Sequence, residues 1–341
     1  MPTAPHAFQE AEIHADQAGL MYFLERSDTW KTIKPYNFHY FPKENFPVHN
    51  IERALHIVNI KSMRPLMSSL TMKKEGFQVH SIATIMGYED FRKKDKVEDI
   101  YMRELESYFR TTLPGAKYVR SLDFQVFITI PPATIVLRRL QLRQRDVNFP
   151  IAGGVPWQKP QPSLLTHVDV TLDSAKKIIR EIYEDQVASE ILESRFQVIT
   201  VWRPLRVPVR DWPLAICDAS TVDQNDFVDT DVIYPSYIAE NRMLHYNSEQ
   251  QWYWLPDQKK DEVLVFKAID TDDAISSRMV MLPTRNMNTD IVACPHGAFQ
   301  LTGRADNSQP RESIDIRLLV MYADIEYPDG KFSTNAVTAT Y

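Results

Sequence analysis

Apolar positions recur along this chain with two periods. Ala54-Leu55-His56-Ile57-Val58-Asn59-Ile60 and Phe77-Gln78-Val79-His80-Ser81-Ile82 alternate as strands with one covered face do. Val97, Ile100, Tyr101, Leu105 and Tyr108 recur at three- and four-residue steps and predict a helix over Val97–Phe109, with Asp95 as its cap. Further strands are expected at Phe124–Ile130, Thr134–Leu140, Leu164–Val170, Phe196–Trp202, Trp252–Leu255, Val263–Ala268, Ile291–Cys294 and Ile314–Tyr322. Asp173 is expected to cap a helix carrying Ala175, Ile178, Ile179 and Ile182 on one face, with a second helical piece over Gln186–Glu193. Asn148–Pro162 reads as a loop, and residues 203–250 read mostly as loop. Many short strands joined by loops indicate a mainly β (α+β) chain built as a sandwich or jelly roll. Residues 1–20 read as a loose arm, 21–120 as a smaller α+β portion packed on the core, and 121–341 as the core. No linker separates the last two, so one domain is expected.

Composition narrows the chemistry. Nine glycines in 341 residues is scarce against an average of about 7%. There is no G-x-G-x-x-G and no Walker-type loop, which argues against dinucleotide and nucleotide folds, where glycine lets the backbone approach phosphates. Lys and Arg number 39 against 45 Asp and Glu, a net charge of −6, so no nucleic-acid partner is expected. The one basic run, Arg138 to Arg145, reads as a solvated face or strand edge. Two cysteines, Cys217 and Cys294, cannot form a disulfide framework and fit a reducing compartment. Met1–Gly19 is polar, and no signal peptide is expected. The longest uncharged apolar stretch, Phe124–Leu137, is broken by Pro131-Pro132 and is too short to span a bilayer. A cytoplasmic protein with no membrane partner is the expectation. The sequence is compatible with a homo-oligomer and does not fix its order.

The sharpest local feature is His167-Val168-Asp169, within Leu164–Val170. On a strand His167 and Asp169 project to one face while Thr166, Val168 and Val170 face away. One imidazole and one carboxylate make two legs of a facial triad, and a distant His would complete it while leaving positions open on Fe(II). H-x-D alone is a weak signal, since such a pair also serves as a plain hydrogen-bonded couple. Downstream lie only His245 and His296. His296 ends a strand-like run, whereas His245 sits beside Arg242, Asn247 and Glu249 as in a surface loop. After His296, alternation puts Arg311, Ser313, Asp315 and Arg317 on one face, with Ile314, Ile316 and Leu318 on the other. Two arginines and a serine on one face suit a dicarboxylate, which a guanidinium grips through paired hydrogen bonds. The bland alternative is an exposed polar face at a barrel mouth.

His-x-Asp, a distal His and a downstream Arg-x-Ser form a pattern that resembles the Fe(II)- and 2-oxoglutarate-dependent oxygenases. More specifically, the chain resembles the fungal asaB-type hydroxylase/desaturase family, with its gibberellin desaturase-like and cephem-methoxylase-like members. The likeness rests on Glu75-Gly76-Phe77, His167-Val168-Asp169, Val201-Trp202-Arg203-Pro204-Leu205, Asp211 to Asp218, Trp252-Tyr253-Trp254, Val265 to Asp270, His296-Gly297-Ala298-Phe299 and Arg311 to Arg317. Two departures stand out: 127 residues separate Asp169 from His296, and the segment Arg143–Pro162 fits the pattern less well. The resemblance implies a double-stranded β-helix (jelly-roll) core. It also implies His167, Asp169 and His296 as ligands of Fe(II), 2-oxoglutarate and O2 as cosubstrates, and Arg311 with Ser313, and less directly Arg317, as anchor of the far carboxylate. The implied activity is oxidation of an unactivated C–H bond of a small molecule of secondary metabolism, ending in hydroxylation, desaturation or ring closure, outcomes that share one ligand set and are not separated by sequence.

Two other classes fit the same residues: a metal-dependent hydrolase or isomerase on a cupin-like barrel, and a non-catalytic accessory subunit. Arg311 comes first after the turn that follows His296, which places it nearer the metal level than Arg317, about 20 Å further along an extended strand. Trp202 reads as core, with pocket wall as the alternative, Arg203 as a partner of Asp211 or Asp218, and Lys267 as an outward residue on an edge strand, the alternative being an inward Lys that needs an anion and is a second candidate for a carboxylate. Cys294 stands two residues before His296 without the cysteine spacing of a structural zinc site.

Overall fold

The computed structural model describes residues 15–40, 42, 46–122, 126–130, 133–137, 142–146, 149–150, 160–235, 237–272, 293–302 and 309–326. The expected strand at Ile291–Cys294, the ends of Phe124–Ile130 and Thr134–Leu140, and most of the loop Asn148–Pro162 lie partly outside them. The chain is mostly β with few helices. Its strands are β1 Gln17–Leu24, β2 Tyr36–Phe38, β3 Arg53–Ser62, β4 Phe77–Ser81, β5 Tyr118–Ser121, β6 Val126–Ile130, β7 Ala133–Leu137, β8 Leu142–Gln144 and β9 His167–Val168. They continue with β10 Phe196–Pro204, β11 Leu214–Cys217, β12 Phe227–Ile233, β13 Ile238–Leu244, β14 Trp252–Trp254, β15 Glu262–Asp270, β16 His296–Ala298, β17 Gln300–Leu301 and β18 Glu312–Met321. Among the described residues, the helices of eight or more residues are α1 Met102–Thr112, α2 Leu172–Ile182 and α3 Asp185–Glu193.

Two sheets hold the site. One runs β4-β15-β10-β18-β5, with β8 also paired to β18. The other runs β17-β1-β3-β14-β11-β16-β9-β13-β12-β2. From β8 to β11 the chain alternates between the sheets at every strand, and it crosses between them again from β14 to β15, from β15 to β16 and, after β17 in the same sheet as β16, to β18. The inner faces meet in one apolar cluster: Trp202, Leu264 and Phe266 from the first sheet against Leu214, Ile216, Tyr253 and Leu255 from the second. Period-2 alternation explains this, because the neighbours Ile199, Val201, Val263, Val265, Ile314 and Ile316 face outward and are covered by α1. Helices α2 and α3 pack Ala175, Ile179, Ile182, Ala188 and Ile191 against Val168, Val170, Val198, Leu319 and Met321. Trp252 and Trp254 share a face with Phe23 and Ile60, while Tyr253 points the other way, as alternation predicts.

Several expectations change. β1 begins at Gln17, inside the stretch expected as a loose arm. The helix expected over Val97–Phe109 has a wide π turn at Val97–Tyr101 before α1 proper. Thr171, not Asp173, caps α2 by accepting a hydrogen bond from the Ser174 amide. The stretch 203–250 holds β11, β12 and β13. The β12–β13 hairpin is mostly half-exposed on both faces, so it lacks a clean apolar alternation. Lys267 is not outward on an edge: β15 is flanked by β4 and β10, and Lys267 is buried against Asp270 at 2.6 Å. Arg203 binds neither Asp211 nor Asp218; it donates to the Tyr101 hydroxyl and to the carbonyls of Lys260 and Ile82 on the outer face. Among the described residues no helix is long and apolar enough to cross a membrane.

The strand β1 leaves no room at Gly19. A Cβ there would lie 2.5 Å from Phe299 Cδ2 and 2.7 Å from Ile60 Cδ1. Gly19→Ala is expected to cost about 1–3 kcal/mol by overpacking. Urea unfolding should show a lower midpoint at unchanged slope; a parent-like midpoint would mean that the ring moves aside freely.

Candidate metal centre and its anion pocket

His167 on β9 pairs in register with His296 on β16, so two imidazoles stand side by side on adjacent strands, ring centroids 4.5 Å apart. Asp169 follows β9 on the same face. Its Oδ1 lies 3.7 Å from Nε2 of His167 and 3.7 Å from Nε2 of His296. One ligand atom from each residue falls within 4.8 Å of the others, an arrangement able to hold a metal ion. Each ring turns Nδ1 to the carbonyl two residues before it, Leu165 for His167 at 2.8 Å and Cys294 for His296 at 3.3 Å. With the proton on Nδ1, Nε2 keeps its lone pair for a metal. Phe266 packs on the His296 ring, centroids 4.5 Å apart. The thiol of Cys294 is not part of this group. Its sulfur points at the Glu75 carbonyl, and burial pushes its pKa up to about 12.

Electrostatics keep the donors in the state a metal needs. Burial alone would raise the Asp169 pKa, but the rings of His296 and His167 and the Arg317 guanidinium outweigh it and hold the carboxyl well below its usual range. Burial lowers His296 to about 4 against the opposing pull of Asp169, so it is neutral near pH 7. The Thr200 hydroxyl on β10 donates to Asp169 Oδ2 at 2.7 Å, leaving Oδ1 toward the imidazoles.

Arg311, Ser313, Asp315 and Arg317 do share the inner face of β18, but they serve different neighbours. Arg311 is buried, its backbone amide donating to Asp211 and its Nη1 to the Trp212 carbonyl at 2.5 Å. Its guanidinium lies 5.4 Å from the Trp202 ring centre. Trp212 holds a left-handed φ of 44°, unusual for a bulky residue, at the turn that supplies this carbonyl. Burial, and then the nearby charge of Arg143, lowers Arg311 to about 9. Arg311 Nε and Ser313 Oγ are buried with no hydrogen-bond partner among the described residues. Such orphans are costly unless an anion takes them up. Asp315 pairs with Arg143 from β8 at 3.2 Å rather than with Arg317.

Register corrects the expected order of the two arginines. Arg317 stands opposite Thr200, whose hydroxyl touches Asp169, whereas Ser313 stands opposite Pro204. Arg317 is therefore the one at the level of Asp169, and Arg311 lies further off. Cross-strand register depends on pairing between distant segments, which the order of residues after a turn does not reveal. His245 is also not on a surface loop: it is buried and turns Nδ1 to the Leu24 carbonyl, away from the triad. Residues the sequence did not single out include Thr200, Phe266 and Glu312. Glu312 is buried on the outer face of β18, where Tyr88, Arg92 and Arg206 converge on its carboxylate.

A family profile described as an oxidoreductase/YMDC permease-like domain matches residues 20–321. The chain is 27% identical over 274 residues to an alpha-ketoglutarate-dependent dioxygenase, tstK, of Talaromyces stipitatus, covering 79% of this chain and 87% of that protein. It is 30% identical over 151 residues to the hydroxylase/desaturase asaB of Aspergillus flavus, covering 40% of this chain and 60% of the other. A solved structure of a variant of the iron and alpha-ketoglutarate-dependent endoperoxidase NvfI shares the fold, with a TM-score of 0.71 over 91% of this chain and 98% of that one at 23% identity.

The His296 ring makes the metal-free protein sensitive to acid. Its folded pKa of about 4 lies below the ordinary value of 6.5, so between those limits the unfolded chain binds more protons and stability falls as pH falls. The Asp169 contribution is present above the ordinary carboxylate range and is lost only below it. Urea unfolding from pH 6.5 to 4 should therefore show a loss of roughly 1–3 kcal/mol from this ring. His296→Asn should flatten that part of the profile; an unchanged slope would mean that the ring is not held neutral.

Proposed function

The chain belongs to the oxidoreductase/YMDC permease-like family, and from that premise we propose that it is a non-heme Fe(II)- and 2-oxoglutarate-dependent dioxygenase acting on a small molecule of secondary metabolism. His167, Asp169 and His296 are the proposed iron ligands. The observation that carries this reading is their convergence, two imidazoles presenting Nε2 and one ionised carboxylate between two sheets. The winding of the chain back and forth between those sheets supports a double-stranded β-helix core. Residues 121–341 carry most of that core in this reading, while 21–120 add strands to both sheets through β1–β4 and cover the outer face with α1, so both belong to one catalytic domain. Two free, buried cysteines support a reducing, cytoplasmic setting.

The donor set fits the cosubstrates. Arg311 Nε and Ser313 Oγ, buried without partners among the described residues, are proposed to take the far carboxylate of 2-oxoglutarate. Iron and 2-oxoglutarate supply oxygen activation, with loss of carbon dioxide to give succinate and removal of hydrogen from an unactivated C–H bond. This chain's residues hold, orient and shield. Asp169 stays ionised and both imidazoles present Nε2. Phe266 and Trp202 exclude water from the inner faces, and the Trp212 carbonyl steers the Arg311 guanidinium. Hydroxylation, desaturation and ring closure would all use these residues.

Anaerobic reconstitution with Fe(II) and 2-oxoglutarate, followed by aerobic screening of small metabolites for succinate release, tests the reading. Asp169→Ala should lose Fe(II) and turnover without unfolding, whereas His245→Ala should keep most of both. Equal iron content in Asp169→Ala and parent would remove Asp169 from the ligand set. Arg311→Ala should weaken 2-oxoglutarate by roughly 2–5 kcal/mol. The readout is the visible charge-transfer band of the anaerobic complex, titrated with 2-oxoglutarate, with Arg317→Ala closer to the parent. The reverse ranking would move the anchor to Arg317.

A further inference from the structure

We propose that Thr200 is a positioning residue that fixes Asp169 as a one-toothed metal ligand, an inference that rests on the iron-site reading above. The carboxylate has two oxygens, and the structure treats them differently. Oδ1 is equidistant, at 3.7 Å, from Nε2 of both imidazoles. Oδ2 accepts the Thr200 hydroxyl at 2.7 Å. A carboxylate free to rotate could offer both oxygens to a metal and occupy an extra coordination position. The hydroxyl holds Oδ2 in a hydrogen bond and so leaves that position open for cosubstrate.

The setting of Thr200 argues that its hydroxyl has this task. It is 1% exposed, in a strand whose inner face otherwise carries Val198 and Trp202. Its strand neighbours at the same level are Phe266, which packs on His296, and Arg317, whose charge acts on Asp169. Valine has the same shape and an equal preference for strands, so packing alone gives no reason for a hydroxyl here. Carboxylate ligands are commonly held by such outer partners, and removing one typically costs 10–100-fold in metal affinity or activity.

The test compares Thr200→Val and Thr200→Ser with the parent, using Co(II) as probe in the metal-free full chain. Thermal unfolding without metal checks that all three fold alike. Thr200→Val should bind Co(II) about 10–100-fold more weakly and show a changed visible Co(II) spectrum. Thr200→Ser, which keeps the hydroxyl, should stay near the parent in both. Parent-like affinity and spectrum in Thr200→Val overturn the proposal. So does a Thr200→Ser variant as impaired as Thr200→Val, because that result assigns the effect to the lost methyl group. Asp169→Ala separates this failure from failure of the underlying reading. If the parent binds Co(II) no better than Asp169→Ala, the metal site itself is wrong; if the parent binds and Thr200→Val matches it, only the role of Thr200 falls.

Discussion

An ionised carboxylate between two apolar sheets is the constraint around which this structure is arranged. Asp169 cannot stay charged there unless its surroundings replace water. Two imidazoles, a hydroxyl from β10 and a guanidinium from β18 do so, each arriving from a different strand. Their convergence depends on the register of β10 against β18 and of β9 against β16. A slip of one residue in either pair would turn a polar partner outward and leave the charge uncompensated. Arg311 poses the complementary problem. Asp211 engages its backbone amide and also Arg145, while the Trp212 carbonyl takes one guanidinium nitrogen and leaves Nε without a partner among the described residues.

What the sequence made legible was local in origin. The period of two in Leu164–Val170 and in Arg311–Leu318 places His167 with Asp169 and Arg311 with Ser313 without knowledge of any partner strand. The same rule separates Tyr253 from its tryptophan neighbours. The strand-like run before His296 favoured it over His245, and the family resemblance added the cosubstrates. What stayed hidden was set by distant pairing. Thr200 looks like any β-branched strand residue until Asp169 is beside it. The depth of Arg317 follows from Thr200 across the ladder. His245 looks exposed among polar neighbours, yet its partner, the Leu24 carbonyl, lies 221 positions away.

Strand β18 shows how one segment meets two unrelated demands. Its inward residues face the site, and its outward residues belong to the packing under α1. Glu312 is the charged exception on the outer side, tied by Tyr88, Arg92 and Arg206. That cluster anchors the backbone between Arg311 and Ser313. Residues near 88–92 and at 206, remote from the inner face, thus take part in setting where the side chains of Arg311 and Ser313 lie.

Strand β9 is only two residues long, joined to β13 through His167 and Val168 and to β16 through His167 alone. So brief a ladder is a seam along which two distant parts of the chain meet. An ion bound by His167, Asp169 and His296 would clasp that seam as a cross-link, closing a ring of well over a hundred residues. The entropy lost by an unfolded chain closed in this way grows only with the logarithm of ring size, so the long excursion through β10 to β15 adds little to its cost. Local opening of β9 would then have to wait for the ion to leave. The slow exchange of backbone amides flanking the seam would follow the lifetime of the metal rather than the strength of two short strands.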